Sequence, residues 1–289
     1  MILDYLDEQE TPHLTKKDRL ILLIYLLGIT TCEQLQIISG WTKTQVQDTL
    51  QHIRKQEKTE KKRDEWLMFW QARRKGKMLY RLGQLGIEHA LALRDENPGQ
   101  GKRKKRPHKK GQWAHFLAVN DVLCRLIQHN INFLDFYTGK EVLSYINRET
   151  RVLEYNKNNL LQPEKRTHLP FRPDGMVMLN ETEAYYLEAD TGTESQTRWV
   201  SKLENYVTGY TNAKNNGQSD ILHPVLCIVP TKRRKQTLIK WSNAYYTRYI
   251  ESGLLADVGY PTMYCFVAGE EIDFFAGKHQ EQPFWEGAT

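Results

Sequence analysis

Between Arg172 and Ser195 the chain reads "RPDGMVMLNETEAYYLEADTGTES", two apolar runs flanking a polar bend, with Asp174, Glu188 and Asp190 on either side of it. Read as a hairpin symmetric about Thr182, the segment sets Leu179 opposite Tyr185, Met176 opposite Glu188 and Asp174 opposite Asp190. Side chains alternate along a strand and paired positions share a face, so the three carboxylates should gather at one end of a sheet. Like charges in contact are costly unless something positive lies between them. Oxygen ligands at that density suit Mg²⁺ or Mn²⁺, which would orient and activate a water for attack on a phosphodiester. The plainer alternative is a solvated sheet edge, or a scaffold that binds without cutting.

The elements that must position these acids follow from periodicity. "QWAHFLAVNDVLCRLIQHN" is helical, and "INFLDFYTGKEVLSYI", rich in aromatic and branched residues, reads as a strand. "TESQTRWVSKLENYVTGY" is a helix capped by Thr193 with Gln196 closing a capping box, and Trp199, Leu203, Tyr206, Val207 and Tyr210 share one face. "HPVLCIVP" reads as a buried strand, "KRRKQTLIKWSNAYYTRYI" as a basic amphipathic helix and "TMYCFVAG" as a last strand. The order α-β-β-β-α-β-α-β predicts an α/β sandwich with a mixed sheet.

The N-terminal third has a different pattern. "LTKKDRLILLIYLLGI" is a buried helix capped by Thr15, "TCEQLQIISG" a short helix capped by Thr31 and ended by Gly40, and "WTKTQVQDTLQHIRKQEK" a third helix with Thr42 as N-cap. "EWLMFWQA", the turn "RRKGK" and "MLYRLGQLGIEHAL" then supply two strands around a basic glycine turn, so three helices and a wing predict a winged helix-turn-helix. From Lys43 to Arg81 there are twelve Lys or Arg against five acids, the excess a phosphate-binding face needs. On this reading Lys43 and Arg54 with Arg73, Arg74, Lys75 and Lys77 hold the backbone, while Thr44, Gln47 and Gln51 face base edges. "ENPGQGKRKKRPHKKGQ" holds seven Lys or Arg and almost nothing apolar. It reads as a linker whose Lys102, Arg103, Lys104, Lys105 and Arg106 track phosphates, or as a solubilising spacer. The expected organisation is 1–95 winged helix, 96–112 linker and 113–289 α/β domain.

Composition narrows the classes. With 289 residues the chain can bury two cores, and its net charge of +6 is modest, so the placement of charge carries more information than the total. Four cysteines (Cys32, Cys124, Cys227, Cys265) form no CxxC pair, which speaks against a zinc site or disulfide framework and for a reducing cytoplasm. "LILLIYLLGI" is far short of the roughly 20 apolar residues of a membrane span. There is no HxH pair, no GxxxxGK[ST] loop and no GxSxG elbow, so a histidine-ligated relaxase, a nucleotide-driven motor and a serine hydrolase all lack their chemistry.

"RPDG…YYLEAD" on a hairpin between helices resembles the PD-(D/E)XK nuclease superfamily, which implies a restriction-endonuclease-like fold. Asp174 matches the first acid and Glu188 the second. Asp190 stands where the pattern expects lysine, and the resemblance implies that Lys202, on the following helix, takes that part, stabilising the attacking water or the charged phosphate. Over nearly its full length the chain is also similar to the replication-relaxation family of bacterial plasmids and mobile elements, through "LTKKDRLILLIYLL…TTCEQLQ", "HFLAVNDVL" and "FRPDG…YYLEADTGTES…KLENY". That resemblance implies a role in plasmid replication or conjugative DNA processing, on double-stranded DNA, with other replication or transfer proteins or a second copy of the chain as partners. Two readings stay open: a Mg²⁺- or Mn²⁺-dependent nickase, and a non-catalytic initiator or regulator.

Overall fold

Reciprocal hydrogen bonds open the first helix. Thr15 Oγ1 accepts the amide of Asp18 at 3.2 Å, and the Asp18 carboxylate accepts the amide of Thr15 at 3.1 Å. In the computed structural model to which these distances belong, residues 6, 11–55, 66–71, 77–96, 113–139, 141–146, 171–251, 260–278 and 283–285 are described. Their contacts divide the chain into two units, Met1–Asn130 and Ile131–Thr289.

In the first unit, α1 (Lys16–Leu27) is buried nearly all round, because α2 (Cys32–Ser39), α3 (Lys43–Lys55) and α4 (Gln84–Leu93) all pack on it. This explains its near-continuous run of leucine and isoleucine. Thr31 and Thr42 cap α2 and α3 as their sequences require, each paired with a glutamine three residues on. β1 (Thr30–Thr31), β2 (Leu67–Gln71) and β3 (Met78–Leu82) form an antiparallel sheet in the order β1-β3-β2, with Leu67 opposite Leu82 and Gln71 opposite Met78.

Helix α5 (Trp113–Gln128) belongs to this first unit, so the division falls at 130/131 and not at the 112/113 boundary expected from the sequence. The reason is polar. Gln34 Nε2 donates to Asp121 Oδ1 at 2.7 Å and to the Leu117 carbonyl at 3.0 Å, and the fully buried Asn120 donates to the Ile29 carbonyl at 2.8 Å. These bonds satisfy carbonyls and amides that α1 and α2 would otherwise bury unpaired.

In the second unit a five-stranded sheet runs β4-β5-β6-β7-β8: Asp135–Thr138, Gly175–Met178, Ala184–Ala189, Val225–Val229 and Met263–Val267. The first three strands are antiparallel and the last three parallel, which is the mixed α/β sheet expected from the element order. The crossover helices α6 (Gln196–Asn215) and α7 (Lys232–Glu251) are tied side by side where Trp199 Nε1 donates to Ser242 Oγ at 2.9 Å, both groups buried. A short α8 (Glu271–Phe275) carries Phe274 and Phe275 against Tyr185, on the strand side opposite Tyr186.

Three local expectations are corrected. The stretch expected to be one strand over 131–146 is a strand only at Asp135–Thr138, and residues 141–146 are helical; Val142 and Ile146, four apart, share the buried side of that turn. Helix α6 is capped by Ser195, whose hydroxyl accepts the Arg198 amide, while Thr193 Oγ1 lies beside Thr191 Oγ1. The hairpin bends about Glu181, not Thr182. Leu179 N–H donates to the Glu183 carbonyl at 2.8 Å and the Asn180 side chain accepts the Thr182 amide at 3.0 Å, closing a three-residue loop.

Candidate functional site

That one-residue displacement of the bend moves every cross-strand partner by two, so faces are kept but neighbours change. Gly175 pairs with Leu187 and Met176 with Tyr186. One step further along, Asp174 lies opposite Glu188 and not opposite Asp190. Asp174 Oδ2 accepts the Ala189 amide at 3.0 Å, which fixes the carboxylate at the strand end.

Glu188 is buried, 1 % exposed, under the helix layer. Lys202, on α6, donates to its Oε2 at 2.8 Å, and Tyr206, one turn later on α6, donates to its Oε1 at 2.6 Å. Burial raises the Glu188 carboxyl to about 7, with Lys202 opposing and the negative field of Asp174 adding to the rise. For Lys202, burial acts to lower the ammonium pKa, but Glu188, Asp174 and Glu194 outweigh it and the value is raised. Lys202 therefore stays charged at every physiological pH. Burial, with Glu188 beside it, holds the Tyr206 phenol well above its ordinary range, so it stays protonated and donates to Glu188.

Asp190, 4 % exposed, has a partner of its own. The Arg234 Nε, from the first turn of α7, donates to Asp190 Oδ2, and its NH2 group donates to the Glu194 carbonyl at 2.7 Å. Gly192 N–H completes the set at 2.8 Å on Asp190 Oδ1. Glu194 reaches Lys202 at 3.5 Å through Oε1, while its buried Oε2 has no hydrogen-bond partner among the described residues.

The structure therefore brings Asp174, Glu188 and Lys202 together, as the nuclease resemblance implies, and separates Asp190 into a second ion pair. A three-carboxylate cradle does not fit these donors. Both oxygens of Glu188 already accept a hydrogen bond, Asp190 is held by Arg234, and among the described residues no three His, Cys, Asp or Glu side chains converge as a metal-binding group. Sequence reasoning missed Tyr206, Glu194 and Arg234. Tyr206 carried a legible signal, the i, i+4 spacing from Lys202, but its aromatic ring placed it with the core face. Arg234 had none, because only the parallel pairing of β6 and β7 sets the start of α7 beside Asp190.

Of the residues expected to meet DNA, Lys43, Thr44, Gln47, Gln51 and Arg54 are exposed on α3, while Val46, Leu50 and Ile53 are buried on its other side. The Arg54 guanidinium lies 3.9 Å from the Phe69 ring centroid, a cation–π contact that holds it over β2. Lys77 pairs with Glu33 at 2.8 Å. Arg73, Arg74 and Lys75 of the turn, and Lys102, Arg103, Lys104, Lys105 and Arg106 of the linker, lie outside the described residues. Of the four cysteines, Cys124, Cys227 and Cys265 are buried; burial, then the Asp121 charge, pushes the Cys124 thiol up to about 12, so it is not a thiolate nucleophile. Among the described residues no helix is long and apolar enough to cross a membrane.

A family model described as Replication-relaxation matches residues 22–222, which take in the hairpin, α6 and most of the first unit. No curated protein matches the chain, and no solved structure does.

Proposed function

The chain belongs to the replication-relaxation family, and on that premise we propose that it is a cytoplasmic DNA-binding protein of plasmid replication or conjugative transfer. The observation that carries the reading is the two-sided character of α3. Its apolar residues face α1 and α2, and its exposed side presents Lys43, Thr44, Gln47, Gln51 and Arg54, which are phosphate donors and base-edge donors in one row. Three helices followed by two antiparallel strands are the parts a winged helix uses, with α3 in the major groove and the basic residues between the strands on the backbone. Other replication or transfer proteins, or a second copy of the chain, would meet it on that DNA. Gel-shift titration against plasmid origin fragments tests the reading. Gln47→Ala with Gln51→Ala should erase roughly 1–3 kcal/mol of discrimination per lost bidentate base contact while leaving binding to unrelated duplex intact. Equal loss on every sequence would remove α3 from base recognition.

In this reading the second unit is a scaffold, its acid end neutralised from within by Lys202 and Arg234. One observation favours strand cleavage as a second reading: among the described residues Glu188, Asp190 and Glu194 share only the two cations Lys202 and Arg234, and Glu194 Oε2 is unpartnered there. Asp174 and Glu188 would then hold Mg²⁺ or Mn²⁺, which supplies an activated water when bound, and Lys202 would leave Glu188 to face the phosphate. Supercoiled origin plasmid incubated with Mn²⁺ decides. Nicking that Asp174→Ala abolishes selects the nickase, and a specific gel shift with the plasmid intact selects the scaffold.

A further inference from the structure

Helix α7 carries six Lys or Arg between Lys232 and Arg248 and no Asp or Glu over the same stretch. Two of the six are used within the fold: Arg234 on Asp190, and Lys235 at 3.5 Å from Glu270. The other four, Lys232, Arg233, Lys240 and Arg248, are exposed, and none forms an ion pair among the described residues. At 3.6 residues per turn, Arg233, Lys240 and Arg248 fall within an arc of about 80° and span roughly 22 Å of helix length. Gln236 and Thr247, both exposed, lie along one edge of this stripe and widen it to about 120°. The opposite side of the helix, with Leu238, Ser242, Tyr245 and Tyr246, is buried.

Ordinary surface helices intersperse acids with bases, because i, i+4 pairs of opposite sign stabilise them and like charges do the reverse. Here the compensating acids are missing for four turns. The neighbouring α6 has a single acid, Glu204. From Lys232 to Arg248 the row holds cations, amides and hydroxyls with no carboxylate, Glu251 closing the helix one turn beyond, and an anionic ligand of that length matches it. A nucleic-acid backbone, with its regular phosphates, provides one.

Resting on the DNA-binding reading above, we propose that the exposed stripe of α7 is a second, sequence-independent contact surface of this protein for the phosphates of duplex DNA. It lies in the second unit, on the helix that the sequence marks as basic and amphipathic. It would hold DNA by charge, while α3 chooses the site.

The test uses the full chain and a fluorescent duplex, with anisotropy titrations over a series of NaCl concentrations. Each lost phosphate contact should reduce the slope of log affinity against log salt by about 0.9. Arg233→Gln, Lys240→Gln and Arg248→Gln together should therefore flatten it by roughly 2 to 3, with an unchanged thermal unfolding midpoint. The charge-keeping set Arg233→Lys, Lys240→Arg and Arg248→Lys should restore the slope. An unchanged slope in the neutral set, with duplex binding intact, overturns the α7 surface and leaves the α3 reading standing. Loss in the charge-keeping set equal to that in the neutral one overturns it too, since charge would not be the cause. Failure of the wild-type chain to bind any duplex overturns both.

Discussion

Replacing Lys202 by methionine would leave Glu188 buried with Tyr206 as its donor and no counter-ion. The carboxylate then escapes its cost by taking up a proton, so the damage should depend on pH in a definite direction. An acid whose folded-state pKa lies above its unfolded one binds more protons when folded, and stability falls as pH rises between the two values. In the wild type that window runs from the ordinary 4.5 to about 7. Without Lys202 the upper limit moves higher, so the variant goes on losing stability where the wild type has stopped. The difference should widen by up to about 1.4 kcal/mol per pH unit above 7, hence by on the order of 2 kcal/mol between about pH 7 and 8.5. Lys202 itself, its own pKa raised in the folded state, contributes fully throughout this range and would be lost only beyond pH 10.5. Urea denaturation at about pH 5.5, 7 and 8.5 measures the effect. Adding Glu188→Gln should recover most of the loss at the highest pH, because two matched neutral groups bury more easily than one unpaired charge. A wild-type-to-variant difference that is flat with pH, or a double variant no more stable than the single one, would refute the ion-pair account of this cluster.

Arg234→Met should cost roughly 3–5 kcal/mol in chemical denaturation, because Asp190 is left charged and buried, and Asp190→Asn added to it should return part of that. Tyr206→Phe removes one of the two donors to Glu188 and should cost about 1.5–3 kcal/mol, read from the denaturation midpoint, with the larger value above pH 7 where the carboxylate is ionised. Gly86→Ala sets two effects against each other. Helix propensity favours alanine by about 1 kcal/mol, but the new Cβ would lie 2.3 Å from the Trp66 carbonyl oxygen, a backbone atom already accepting Gly83 N–H. Overpacking of that kind costs about 1–3 kcal/mol, so a lower melting temperature is expected, and an unchanged or higher one would show that the β2 approach relaxes.

Much of the fold was legible. Caps at Thr15, Thr31 and Thr42 announce three helices, and the aromatic face of Trp199, Leu203, Tyr206, Val207 and Tyr210 is the face that α6 buries. These signals are local: a cap needs only its own next turn, and an apolar stripe needs only some core. The 131–146 stretch misled because aromatic and branched residues serve a strand and a buried helical turn equally, and the i, i+4 spacing of Val142 and Ile146 decided between them. Helix α5 misled for a related reason. Amphipathicity shows that a helix has a buried face, not which core receives it, and the choice fell to Gln34, Asn120 and Asp121.

The candidate site divides along the same line. Sequence alone determined that acids cluster at the end of a hairpin and that Lys202 stands on the next helix, because both depend on residue type and short spacing. Only the tertiary structure decided what neutralises them. Pairing shifted by two residues set Asp174 against Glu188, and parallel pairing of β6 with β7 carried Arg234 to Asp190 from 44 positions away. Electrostatic energy in a buried site depends on distances between charges, and those distances are a property of strand order and register, which no short stretch of the chain contains.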